Sequence, residues 1–95
     1  MTGSPRQIIE SKEYTEQIAA LGGAKTLDAA LDALLWAVCT KPEDFPVVPG
    51  LRFTRIATTD PVPWLNLPTL VMYFQIKDEQ RVELRWIEKQ DEEYA

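Results

Sequence analysis

Leu27, Ala30, Leu31, Leu34, Leu35 and Val38 recur at offsets 0, 3, 4, 7, 8 and 11, the most regular pattern anywhere in the chain. At 3.6 residues per turn these positions form a stripe along one side of a helix. The middle of the chain must therefore be an amphipathic helix with a face to bury. Thr26 is placed to cap it through its side-chain oxygen, and Asp28 in the first turn suits the helix dipole. Pro42 marks its end, since proline disfavours helix in the residue before it.

Upstream, Arg6-Gln7-Ile8-Ile9-Glu10 reads as a short strand with two β-branched residues at its centre. Ser11 follows as a helix cap, and Tyr14, Ile18 and Leu21 then fall on a narrow apolar stripe. Gly22-Gly23 ends this first helix, because glycine accepts the left-handed conformation at a helix C-terminus. Two helices joined by so short a connection form an antiparallel hairpin.

After the irregular segment from Pro42 to Gly50 the period changes. Leu51 to Thr58 is expected to be a strand with imperfect alternation, and Thr69 to Lys77 a regular one. In the latter Leu70, Met72, Phe74 and Ile76 share a face while Val71 and Tyr73 lie on the other, which suits a central strand. Asp78-Glu79-Gln80 is short enough for a hairpin loop. Strict alternation from Arg81 to Glu88 places Val82, Leu84 and Trp86 on one face, with Glu83, Arg85 and Ile87 on the other. The last seven residues, from Lys89, are polar and include Tyr94. The order is thus strand–helix–helix–strand–strand–strand, an α+β chain. Its helical hairpin covers one sheet face and leaves the other to solvent or a partner.

The 95 residues leave room for a single domain spanning 1–95, with a polar tail from about 89. No apolar run approaches the roughly 20 residues that cross a bilayer, so no membrane role is expected. Met1-Thr2-Gly3-Ser4-Pro5 lacks the basic and apolar regions of a secretory signal, and the cytoplasm is the expected location. A lone Cys39 with no histidine excludes an intramolecular disulfide and a Cys/His zinc site, and no spacing resembles a calcium loop. Neither metal nor cofactor is implied. The net charge of −5 is shared evenly: residues 1–50 carry 4 basic and 7 acidic side chains, residues 51–95 carry 6 and 8. Such a balance works against nucleic-acid binding, which relies on neutralising phosphates.

Four stretches together resemble the RelE/ParE toxin superfamily. Ile8-Ile9-Glu10-Ser11-Lys12-Glu13-Tyr14 is similar to its first strand running into its first helix. Pro42-Glu43-Asp44-Phe45-Pro46 through Gly50-Leu51-Arg52 is similar to its passage from second helix to second strand. Leu70-Val71-Met72-Tyr73-Phe74-Gln75-Ile76 and Val82-Glu83-Leu84-Arg85-Trp86-Ile87 resemble its third and last strands. The resemblance implies a RelE/ParE-like fold, a helical hairpin packed on one face of a small, largely antiparallel sheet. It also implies a toxin of a type II toxin–antitoxin pair, silenced by a cognate antitoxin. RelE-like members cut messenger RNA on the ribosome and ParE-like members inhibit DNA gyrase.

Metal-independent RNA cleavage needs a base, cations for the phosphorane and an acid for the leaving oxygen. By resemblance, the matching positions are Arg85, Lys89 and Tyr94 as catalytic candidates, with Arg52, Arg55 and Tyr73 binding substrate. RelE-like sequences are richer in lysine and arginine here. Glu83, Glu88, Asp91, Glu92 and Glu93 crowd Arg85 and Lys89 in this chain, so a weak or absent ribonuclease is expected. The alternative for the three arginines is a solvated sheet face with cross-strand ion pairs. Trp36, on the far side of its helix from Leu27, and Trp64, in the proline-rich stretch from Thr58 to Pro68, are candidate partner anchors. The alternatives are that another element, such as Pro61–Leu65, covers Trp36, and that the Thr58–Pro68 loop with Trp64 is tucked onto the core. Cys39, in an Ala/Leu-rich helix, is expected to pack rather than react. A non-catalytic protein-interaction domain on the same fold is the competing function, and homodimerisation through an exposed strand or the helices is open to either.

Overall fold

The computed structural model describes residues 5–59 and 69–90. Strand β1 (Gln7–Glu10) leads into helices α1 (Lys12–Ala20) and α2 (Ala24–Thr40), and strands β2 (Thr54–Thr58), β3 (Leu70–Asp78) and β4 (Arg81–Lys89) follow. This is the predicted element order. The sheet runs β1-β4-β3-β2, with β1 parallel to β4 and the other two pairs antiparallel. It is a mixed sheet with β3 and β4 at its centre.

Ser11 caps α1 as predicted, accepting from the Tyr14 amide at 3.1 Å. Helix α2 begins three residues earlier than a Thr26 cap allows. Its N-cap is Gly23, whose φ of 92° lies where an L side chain is strained. The chain therefore reverses between the helices on backbone conformation, with no side-chain cap on α2.

Tyr14 and Ile18 from α1, and Leu27, Leu31 and Val38 from α2, pack against Ala57, Leu70, Met72, Phe74, Val82, Leu84 and Ile87 of the sheet. Phe45 meets Phe74 edge-on with ring centroids 5.6 Å apart, sealing the end where α2 leaves the core. Arg6 ties three distant segments together. Its Nε donates to the carbonyl of Glu79 at 3.0 Å and its Nη2 to the Glu43 carboxylate at 2.7 Å, holding that carboxyl below the usual range. Its backbone amide donates to the carbonyl of Cys39 at 2.8 Å.

Two expectations need correction. The second strand starts at Thr54, not Leu51, because Pro49-Gly50 and then Arg52-Phe53 form successive turns closed by Leu51 N–Val48 O and Thr54 N–Leu51 O bonds of 3.0 and 2.9 Å. Gly50 has a φ of 84°, the glycine position of the first turn. The second correction concerns β4. Phe74 pairs with Leu84, but the next residue on β3, Tyr73, pairs with Trp86. Arg85 is the extra residue of a β-bulge, and beyond it every side chain changes face. Ile87 is fully buried in the core and Trp86 lies on the open face, 38% exposed. This is the reverse of strict alternation. The last strand reaches Lys89, and Tyr94 lies outside the described residues.

Candidate functional site

Opposite residues of an antiparallel pair share a face. The Tyr73–Trp86 pair therefore stands on the side of the sheet away from the helices, beside Gln75 and Arg85. These four side chains floor a shallow groove of about 570 Å³. One wall comes from the two turns before β2, which bring Val48, Leu51 and Thr54 to its edge. The other forms where β1 stops. The β1–β4 pairing ends at Glu10 opposite Leu84, and the chain turns at Ser11 into the first turn of α1. Glu13 thus borders the groove with Glu88 of β4.

Polar contacts on this face fix the side chains. The Trp86 indole N–H donates to Glu88 Oε1 at 3.0 Å, and Gln75 Nε2 donates to Thr54 Oγ1 at 3.2 Å. Glu83 lies between two cations, with Arg85 Nη1 at 3.2 Å and Lys77 Nζ at 3.5 Å. One carboxylate thus serves both Arg85 and Lys77.

The structure separates the cations that the resemblance groups together. Arg55 pairs with Phe74 on the helix side of the sheet, and its Nη1 donates to the carbonyl of Phe45 at 2.6 Å and of Glu43 at 3.3 Å. It closes the connection between α2 and β2. Lys89 pairs with Leu70, a core-facing residue, and so also sits on the helix side at the end of β4. Arg52 is exposed in the turn before β2, outside the groove lining. Of the substrate and catalytic candidates among the described residues, Arg85 and Tyr73 come together. Arg85 pairs with Glu83 along its own strand, the cross-strand pair at that carboxylate being Lys77–Glu83, and Arg55 instead braces backbone carbonyls.

Trp36 is 63% exposed on α2, remote in the fold from the groove residues. Trp64, with the Pro61–Leu65 reading attached to it, lies outside the described residues. Cys39 is buried, and burial pushes its thiol up, away from the reactive thiolate. Among the described residues no group of three His, Cys, Asp or Glu side chains is placed to hold a metal, and no helix is long and apolar enough to cross a membrane.

Sequence reasoning missed Glu13, Val48, Leu51 and Glu88 as site residues, and it placed Trp86 on the face of Val82 and Leu84. The available signal was the apolar Leu51 following Pro49-Gly50, a large side chain just beyond a turn. No protein-family model, curated protein or solved structure matches this chain.

Proposed function

We propose that this chain is a RelE/ParE-like domain whose work is binding, and that the open face of its sheet receives a segment of a partner protein. The observation that carries this reading is the Tyr73–Trp86 pair, held side by side on the helix-free face by the bulge at Arg85. Large aromatic side chains in a concave, partly apolar site are the usual anchors of protein recognition. The apolar wall of Val48 and Leu51 extends the same surface, and Phe53 is exposed close by in sequence.

RNA cleavage has weaker support. Its transition state needs convergent cations. Arg55 and Lys89 lie on the other side of the sheet, and Arg85 is paired with Glu83. The element order agrees with the one the RelE/ParE resemblance implies. In that setting the segment bound would belong to an antitoxin or to a protein target such as gyrase.

The test is selection of displayed peptides on the immobilised folded chain, with a Trp86→Asp variant used to remove non-specific binders. Enriched peptides are expected to lose at least tenfold in affinity on Trp86→Ala and Tyr73→Ala, and to be indifferent to Trp36→Ala. Peptides that bind all variants equally would overturn the reading. So would RNA cleavage by the purified chain that disappears in Arg85→Ala.

A further inference from the structure

The groove differs in chemistry from one end to the other. At the β2 end Val48 and Leu51 are apolar; at the α1 end stand Glu13 and Glu88. The Glu13 carboxylate has no hydrogen bond or ion pair among the described residues. Glu88 accepts from the Trp86 indole through one carboxylate oxygen and has its other oxygen available. The cation in the lining, Arg85, is bonded to Glu83, and neither Glu13 nor Glu88 has an ion pair among the described residues.

Resting on the peptide-binding reading above, we infer that the groove selects a cationic segment: an arginine or lysine seats at the acidic end against Tyr73 and Trp86, and an apolar side chain of the same segment lies against Val48 and Leu51. Three features favour this occupant. Two carboxylates against the one cation of the lining attract a cation and repel an acidic peptide or a phosphate backbone. An aromatic face beside them adds the attraction of its quadrupole for the same charge. The bond from the indole to Glu88 fixes the ring, so little ordering is needed when the guest arrives.

Geometry limits the spacing of the two anchors. From β4 to β2 is two strand separations, about 10 Å, which an extended segment covers in about three residues, and Glu13 and the Val48–Leu51 turn stand at or beyond these strands. The partner motif is therefore an apolar residue with an arginine or lysine at least about three positions away.

Peptides enriched by the selection described above supply the probe, synthesised with each arginine or lysine kept or replaced by an uncharged isostere (citrulline for arginine, norleucine for lysine). Binding to the full chain is read from the Trp86 indole N–H resonance. The charged peptide is expected to bind at least tenfold more tightly, with an advantage that shrinks as salt rises. Combining Glu13→Gln with Glu88→Gln should abolish that advantage while keeping an acceptor for the indole, and Arg85→Ala should preserve it. Thermal unfolding of each variant establishes that it is folded. Trp86-dependent peptides that lack arginine and lysine, or that bind as well when uncharged, would sink this inference and leave the peptide-binding reading standing. Failure to enrich any Trp86-dependent peptide would sink both.

Discussion

The hydroxyl of Ser11 donates to the carbonyl oxygen of Arg85 across 3.0 Å while its oxygen accepts from the Tyr14 amide. A single buried side chain therefore caps α1 and satisfies the carbonyl just past the last β1–β4 pair. Ser11→Ala removes the cap, which costs about 1 kcal/mol, and strands a carbonyl, which costs about as much again. The expected loss is about 2 kcal/mol, a large share of the roughly 5–10 kcal/mol available to a domain of this size. Urea unfolding measures it as a lower midpoint at unchanged slope. A loss below about 0.5 kcal/mol, the level of an ordinary surface substitution, would show that the bond does not couple helix to bulge.

Trp86 and Ile87 give a direct test of the bulge. Ile87 is fully buried, so Ile87→Ala is expected to cost about 2–5 kcal/mol. Trp86 is 38% exposed on the open face, and Trp86→Ala should cost less than Ile87→Ala despite removing the larger side chain. Regular alternation through β4 predicts the opposite order. Thermal unfolding of the two variants decides between them.

Those two residues also show where reading from sequence stops. The α2 stripe and the alternation of β3 are visible because each follows from the local period of a regular element, and both are present in the structure. A bulge is a property of a pair of strands. Nothing within Glu83–Glu88 says that Arg85 will be passed over, and the parity beyond it inverted. The groove is harder still. It joins Glu13, from the start of α1, to the turn at Leu51 and to both central strands, through contacts between segments far apart in the chain. Arg55 was legible as a cation on a strand, but its face depends on register with Phe74, and its role depends on carbonyls turned toward it before β2. What the sequence did make visible was the kind of surface: a sheet with helices on one side, and acidic residues among the cations of the other.

Removing the bulge residue should be tolerated better than removing its neighbours. Glu83 and Arg85 face outward, Leu84 and Ile87 inward, and Trp86 outward. Deletion of Arg85 leaves Glu83, Leu84, Trp86 and Ile87 in simple alternation, each on its present face. Deletion of Glu83 would instead drive Val82 and Leu84, both buried, onto opposite faces. The Arg85 deletion is expected to give a folded chain that has lost about 1–2 kcal/mol with the Ser11 contact, and the Glu83 deletion a chain without cooperative unfolding. Amide spectra and melting curves of the two would show it. Equal damage from both would mean that the bulge is needed for more than parity.

Alkaline unfolding should be governed in part by Tyr14. Its ring is buried between α1 and the sheet; burial first, and the nearby Glu10 carboxylate second, push its phenol up to about 12. The ordinary tyrosine value is near 10. A group whose pKa is raised by folding gives its full contribution to stability below the unfolded value and loses it as pH rises through the folded one. The window is therefore about pH 10 to 12, and roughly 2–3 kcal/mol is at stake across it. Absorbance at the phenolate band should show one tyrosine ionising late, together with loss of the far-ultraviolet helix signal. Tyr14→Phe is expected to remove that late step and to make stability less steep with pH above 10. Glu10→Gln should move the step to lower pH by a smaller amount, because the charge it removes is the second cause and not the first. A late step that persists in Tyr14→Phe would assign it to another tyrosine and place Tyr14 in contact with water.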